Sequence, residues 1–241
     1  MEDTQNTYLK LKGVHKNEKA CFIVGAGPSL FFASQNKNFN KIFEHVVISV
    51  NSSIMLMPWK EGEKDKRFFI SCDHLCTRWS YWLDYVIPAR CIKIVRSSWF
   101  KYKDELPGFL YFRPRSTSEG IIDPKEDALS YPSSCPSAVD LALQMGCKNI
   151  FLLGVDHDKI GEKVHFWDFF SEATRPRQIR PAQSNYNVQS RTFPINLEAY
   201  RGLLGFSRVM SANIYNVNPQ SKVEIFKKIT FDDIFKILEN K

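Results

Sequence analysis

The stretch Ala20-Cys21-Phe22-Ile23-Val24-Gly25-Ala26-Gly27-Pro28-Ser29 decides the fold. Its first half is a continuous apolar run, the pattern of a strand buried on both faces of a parallel sheet. The run passes straight into two glycines and a Pro-Ser pair. Proline suits the first turn of a helix, where its missing N–H has no intrahelical partner to lose, and serine suits the same boundary. A buried strand, a glycine turn and a helix start in immediate succession describe the first βα unit of a doubly wound sheet.

The apolar pattern recurs in His45-Val46-Val47-Ile48-Ser49-Val50, Arg67-Phe68-Phe69-Ile70-Ser71, Cys91-Ile92-Lys93-Ile94-Val95 and Asn149-Ile150-Phe151-Leu152-Leu153. Phe109-Leu110-Tyr111-Phe112 reads as an edge strand. From Pro136 to Gly146 the residues Ala138, Leu141, Ala142 and Met145 recur at helical spacing, with Gly146 as a C-cap. Helical patterns also cover Asn196 to Met210 and Phe231 to Leu238, with a strand between them over Asn213 to Val217. The expected fold is α/β and Rossmann-like: a mostly parallel central sheet with helices on both faces and a lid-like insertion. Residues 1–19 are expected to precede a single domain spanning 20–241. Residues 157–190, polar, aromatic and basic with little periodicity, form either a lid or acceptor-binding insertion or an ordinary surface loop.

Composition narrows the partners. The chain has 241 residues, of which 44% are hydrophobic and 24% charged, ordinary values for a globular domain. Its net charge of +7 favours anionic ligands. The basic residues are scattered, apart from Arg175, Arg177 and Arg180, and no recognition helix or RNP pattern is present, so nucleic acid is not an expected partner. The start, Met1-Glu2-Asp3-Thr4-Gln5, lacks the basic then apolar character of a signal peptide, and no apolar run reaches membrane-spanning length. A cytoplasmic location is expected, with a contact to the inner membrane face open through the amphipathic last helix. Cys21, Cys72, Cys76, Cys91, Cys135 and Cys147 sit mostly in apolar stretches and read as small buried hydrophobes.

Ligands of doubly wound sheets bind at the carboxyl ends of the strands, which selects four segments, Gly25 to Ser29, Asn51 to Ser53, Cys72 to His74 and Gly154 to Asp158, and the helix start at Ser133-Ser134 should face the same crevice. Gly25, Ala26, Gly27, Pro28 and Ser29 form a turn whose glycines let the backbone approach a phosphate, with helix N–H groups and the Ser29 hydroxyl as donors. A dinucleotide site would want a third glycine at Leu30 and an acid after the second strand; Leu30 and Asn51 argue against NAD and FAD. Asn51 binds a ribose or base, or caps the next helix. Asp73 binds Mg²⁺ or a sugar hydroxyl, or caps a turn. Ser133 and Ser134 offer hydroxyls and free N–H groups at a helix start, or merely cap it. Asp156 and His157, with His165 brought back by the insertion, supply general-base chemistry, or His157 is structural.

Several of these residues together resemble a known group of proteins. The Gly25-to-Leu30 opening, Asn51, Asp73, Ser133-Ser134, Gly146-Cys147-Lys148-Asn149-Ile150 leading into Gly154-Val155-Asp156, and the late Asn216 with Asn218-Pro219-Gln220-Ser221 are similar to two related families. One is the bacterial sialyltransferases of the Campylobacter lipooligosaccharide type. The other is the family named for the archaeal 6-hydroxymethylpterin diphosphokinase, itself related to the core of motility accessory factor glycosyltransferases. The first resemblance implies a glycosyltransferase moving a sugar from a CMP-activated donor to a glycan acceptor. Gly25, Gly27, Ser29, Asn51, Ser133 and Ser134 would hold the nucleotide, and no prosthetic group is required. The family's catalytic His would fall near Arg191 to Pro194, where this chain has none, so the base would be His157 or His165 or the activity differs. The second resemblance implies pyrophosphoryl transfer, with Asp73 and Asp156 on Mg²⁺. Phe166, Trp167, Arg175, Arg177, Arg180 and Tyr186 in the insertion suit a sugar ring and acidic groups and favour the transferase. A nucleotide- or glycan-binding module without catalysis is the third reading.

Overall fold

In a computed structural model the residues described are 7–58, 64–115, 128–130, 133–179 and 189–239. The apolar runs become β1 (Cys21–Val24), β2 (Val46–Val50), β3 (Arg67–Ser71), β4 (Ile92–Arg96) and β5 (Leu110–Phe112). After a small pair, β6 (Pro114–Arg115) and β7 (Leu129–Ser130), come β8 (Asn149–Leu153), β9 (Asn213–Asn216) and β10 (Lys227–Lys228). The main sheet has eight strands in the order β10-β9-β8-β1-β2-β3-β4-β5, and all of its pairings are parallel. The chain therefore moves outward from β1 in one direction, then returns to β8 and moves outward in the other. Their common boundary is the topological switch point, where sheets of this kind bind ligands. Register makes the boundary level, with Val24 opposite both Ser49 and Leu153, so Gly25, Val50 and Gly154 all stand at the carboxyl edge.

Four helices cover the sheet: α1 (Ser29–Ser34), α2 (Ser134–Gln144), α3 (Gln189–Val209) and α4 (Phe231–Glu239). Alternation along the strands builds two apolar layers. On one face Cys21, Ile23, Ile48, Ile150 and Leu152 pack against α2 and α3. On the other, Phe22, Val24, Val47 and Leu153 meet α1 and α4. Stacked rings of Phe22, Phe151 and Tyr215, with centroids 5.2 and 5.3 Å apart, tie β1, β8 and β9 together across that face. The mostly parallel α/β architecture is thus as expected.

The departures have local causes. The first helix is only six residues long; Asn36 accepts from the Asn38 N–H at 2.9 Å in an Asx turn that redirects the chain. Helix α3 starts at Gln189 and carries Pro194 inside it, so the proline did not delimit it. Strand β10 has two residues, too few for any periodicity to reveal. The segment ahead of β1 packs into the body: Tyr8 is fully buried, and Gly13 and His15 donate to the carbonyls of Gln144 and Met145 at the end of α2. No helix among the described residues is long and apolar enough to cross a membrane. Because Tyr8 lies in the same apolar layer as α2, Tyr8→Ala should lower unfolding free energy by about 3 kcal/mol in a urea titration; an unchanged midpoint would mean that the segment is a dispensable extension.

Candidate functional site

The switch point is organised by a carboxylate. Asp156, two residues beyond the Gly154 that ends β8, is buried. Its Oδ2 accepts from the Ser29 backbone N–H at 2.8 Å, and its Oδ1 accepts from the Ser29 hydroxyl at 2.6 Å and the Asn218 amide at 2.7 Å. Three chain segments, the turn after β1, the end of β8 and the return after β9, are thereby joined at one side chain. Ser221 and Asn216 reinforce the join, both donating to the Val155 carbonyl, at 2.9 and 3.1 Å. The turn itself lies on β8: Gly25 N–H donates to Leu153 and Gly27 N–H to Gly154, at 2.7 and 2.8 Å. A Cβ on Gly25 would stand 2.5 Å from the Gly154 carbonyl oxygen, and one on Gly27 would meet Asp156 Oδ2 and, at 2.7 Å, the same carbonyl. Close approach of protein to protein thus accounts for both glycines, and both Ser29 donors are taken internally. Ala26 and Pro28 complete the turn, and the Ala26 carbonyl accepts from Phe166 N–H at 3.1 Å.

A second cluster sits beside the turn at the end of β2. Asn51 adopts a left-handed backbone, φ 54°, a conformation asparagine tolerates better than most residues. Its side-chain oxygen accepts from the Ser134 hydroxyl at 3.4 Å, and that hydroxyl accepts from Cys72 N–H at 2.8 Å. The next residues lock the cluster to β1, since the Ser53 hydroxyl donates to the Val24 carbonyl at 2.5 Å and accepts from Val50 N–H. Ser133 occupies the N-cap position of α2 without a side-chain capping bond. Burial raises the Cys72 thiol to about 11 and the Cys135 thiol to about 12, so both stay protonated. All six cysteines are free, and all but Cys135 are fully buried. Asp73 is exposed and accepts from Leu75 N–H at 2.8 Å as the cap of the next turn.

Residues 157–179 run as a strap along the carboxyl edge. Phe166 is bound to Ala26, the Trp167 indole donates to Ser52 Oγ at 3.2 Å, and the far end pairs with the chain after β3 through Ser80 and Arg177. Strained conformation marks its start, where His157 has φ 50°. The His157 ring lies edge-on to Tyr200 at 5.9 Å, and burial lowers its pKa to about 4. His165 stacks flat on Trp167 at 4.7 Å, and burial lowers it too, against a partial upward pull from Asp168. Both imidazoles are therefore neutral near pH 7. Arg175, expected to bind acidic groups, ties the strap instead: its guanidinium donates to the carbonyls of Phe170 and Asp168 at 2.9 and 2.8 Å. Arg177 is exposed. Arg180 and Tyr186 lie outside the described residues.

Sequence reading selected Asn51, Ser134 and the strap, and the structure brings Ser134 against Asn51 and Trp167 against the neighbouring Ser52. Asp73 caps a turn through Leu75, and Asp156 is held by Ser29 and Asn218. Among the described residues no group of three or more His, Cys, Asp or Glu could hold a metal ion. Trp167, grouped in the sequence with residues suited to a sugar ring, donates its indole N–H to Ser52 and stacks on His165, and Asn218, read there only as part of the late motif, is a partner of Asp156. An Asn-Pro pair directly after a strand, facing an acid after the neighbouring strand, was the available signal for Asn218.

No protein family and no curated protein matches the chain by sequence. Among solved structures it is similar to the MAf glycosyltransferase from Magnetospirillum magneticum AMB-1, with a TM-score of 0.55 and 16% identity. That likeness covers 98% of this chain and 40% of the larger one. A second, much weaker likeness is to the sialyltransferase CST-II in complex with CMP, with a TM-score of 0.33 and 12% identity over 88% of this chain and 86% of that one. The first establishes a shared fold; the second is too distant to argue from.

Two measurements follow from this geometry. Gly27→Ala should destabilise the protein by about 1–3 kcal/mol in a denaturant titration, because the added methyl must move either Asp156 or the β8 backbone; wild-type stability would show that the turn is not held against β8. His157, whose pKa falls from 6.5 unfolded to about 4 folded, makes the unfolded chain bind the proton more tightly. Its stabilisation is complete above about pH 6.5 and is lost as pH falls toward 4, an effect on the order of 3 kcal/mol. His157→Asn, which keeps a residue tolerant of the left-handed backbone, should flatten that pH dependence of unfolding; an equally steep profile would contradict the burial of the ring.

Proposed function

We propose that this chain is a glycosyltransferase that takes a nucleotide-activated donor, of the CMP type, in the crevice beside Asn51 and Ser134 and transfers its sugar to a glycan hydroxyl. The observation that carries this reading is the strained Asn51 at the end of β2, next to the Ser134 hydroxyl and flanked by Ser52, which anchors Trp167. Left-handed non-glycine residues persist where the surroundings fix them, and such positions cluster at ligand sites. An amide there both donates and accepts, matching a ribose or a pyrimidine without adding negative charge. Ser133, at the N-cap of the eleven-residue α2, and the N–H groups of Ser134 and Cys135 suit the donor's phosphate, whereas Pro136 has no N–H and that of Ser137 is bonded to the Ser133 carbonyl. The fold shared with a glycosyltransferase agrees with this reading.

His165 is the base in this scheme. It is held on Trp167 at the rim of the crevice, and its neutral state leaves a ring nitrogen able to accept the proton of the acceptor hydroxyl as the glycosidic bond forms and the nucleotide leaves. His157 faces Tyr200 instead. The burial that depresses both histidines also makes them weak bases in the free protein, which is the specific support for a second reading, a nucleotide-binding module without turnover. Pyrophosphoryl transfer finds less support, since Asp73 and Asp156 serve a cap and a structural join.

Thermal-shift measurements with CMP, CMP-sialic acid, UDP-sugars, GDP-sugars and ATP with Mg²⁺ separate these readings. CMP and its sugar should raise the melting temperature, and Asn51→Ala should abolish the rise. Donor turnover should fall about 10²-fold or more in His165→Ala. Stabilisation by ATP with Mg²⁺ alone would overturn the proposal, whereas CMP binding with no turnover in the wild type would establish the module.

A further inference from the structure

On the β9 side of the Gly25-to-Ser29 turn, away from the Asn51 and Ser134 of the proposed donor site, lies a cavity of about 460 Å³. The proposed donor site does not include it, although Pro28, Ser29, Asp156 and the Asn218-to-Gln220 stretch line it. Its volume falls in the range of about 300–1,000 Å³ usual for small-ligand sites. One wall is α1, through Phe32, Ala33 and Asn36; the opposite wall is the return after β9, through Pro219 and Gln220. Ile160 from the strap and Phe231 at the start of α4 close the ends. The floor is the hydrogen-bonded join of Ser29, Asp156 and Asn218.

The chemistry of this lining selects a ligand class. Asp156 is buried, only 3% exposed, on the cavity floor. Asp158 and Lys159 also line the cavity and offset each other, so the buried Asp156 carboxylate on the floor disfavours a phosphate or carboxylate ligand. Asp158 is already paired with Lys222 at 2.9 Å. A cation is disfavoured too, because Asp156 has three of its roughly four acceptor positions occupied by neutral donors that a metal would have to displace. What remains is an uncharged ligand with hydroxyls and an apolar face. Phe32 is the clearest feature: its ring is 53% exposed on a short helix yet lines the cavity. Phe31 and Phe169 hold it edge-on, at 5.5 and 5.3 Å. An exposed aromatic ring braced by two others offers a plate for the C–H face of a sugar, while the planar amide of Gln220 can donate to and accept from its hydroxyls; the Asn36 amide, already donating to Asp232 at 3.3 Å and accepting from Asn38 N–H, keeps a second N–H.

We propose that this cavity is a saccharide-binding subsite for one or two neutral sugar units. The Ser29–Asp156 join separates it from Asn51 and Ser134, so it holds saccharide away from the proposed reacting centre, and it stands as a saccharide site whether or not the glycosyltransferase reading holds.

The test is saturation-transfer NMR on the full chain with a panel of methyl glycosides and disaccharides ending in galactose, glucose or N-acetylglucosamine. At least one should give transfer concentrated on its ring C–H protons. Phe32→Ala and Gln220→Ala, on different walls, should each weaken its binding at least fivefold, and Ala33→Phe, which fills the space, should abolish it. Melting temperatures of the three variants establish that each is folded, and their CMP-induced thermal shifts should match the wild type. No binding by any sugar of the panel, or undiminished binding in the folded variants, would overturn the proposal. Saccharide binding without any nucleotide-induced shift would refute the donor site and leave this one standing.

Discussion

The buried carboxylate of Asp156, satisfied by both donors of Ser29 and by the amide of Asn218, is the contact on which the carboxyl edge of the sheet depends. A carboxylate taken out of water has to be hydrogen-bonded, and here three separate chain segments supply the donors. The turn after β1 can reach it only by lying directly on the end of β8. That approach leaves no room for a Cβ at residues 25 and 27. The glycines, the Pro-Ser helix start and the Asn-Pro pair after β9 are thus consequences of one interaction. The join closes the boundary between β1 and β8, where the order of strand addition changes sides.

The same constraint sets which polar groups at the carboxyl edge stay open. With Ser29 turned inward, the turn is a wall rather than a cradle, and the open polar groups lie to its two sides. Toward β2 stand Asn51 and Ser134, next to a strap that anchors Trp167 on Ser52 and stacks His165 upon it. Toward β9 stands the cavity with Phe32 on its rim. The strap is held by more than side-chain packing: Asp168 receives the N–H groups of Val164 and His165 at 2.9 and 2.8 Å, and Arg175 braces its backbone from within.

The architecture was legible because buried parallel strands are short, apolar on both faces and bounded by turn residues. Each of the five runs chosen for that reason became a strand within a residue or two. Elements too short to carry a period were not legible, as with β10, and neither was α3 across Pro194, where tertiary context overrode a local breaker. For the site, position was readable and partnership was not. Strand ends picked out Asn51, Ser134, Asp156 and His157, but nothing in the spacing of Ser29 and Asp156 says that one binds the other 127 residues away. The same holds for Arg175, whose charge suggested a ligand while its geometry serves the strap. Burial, too, is invisible in the sequence: His157 and His165 looked like bases poised near neutral pH, and folding lowers both.

The central claim is that the nucleotide lies beside Asn51 and Ser134, on the β2 side of the turn. Chemical-shift mapping of the ¹⁵N-labelled chain titrated with CMP addresses it directly, since Trp167 places an indole N–H reporter on Ser52 at the edge of that crevice. Saturable shifts of the Asn51 side-chain amide, the Ser134 backbone N–H and the Trp167 indole are the predicted result. Shifts confined to Phe32, Asn36 and Gln220, with those three reporters unmoved, would contradict it.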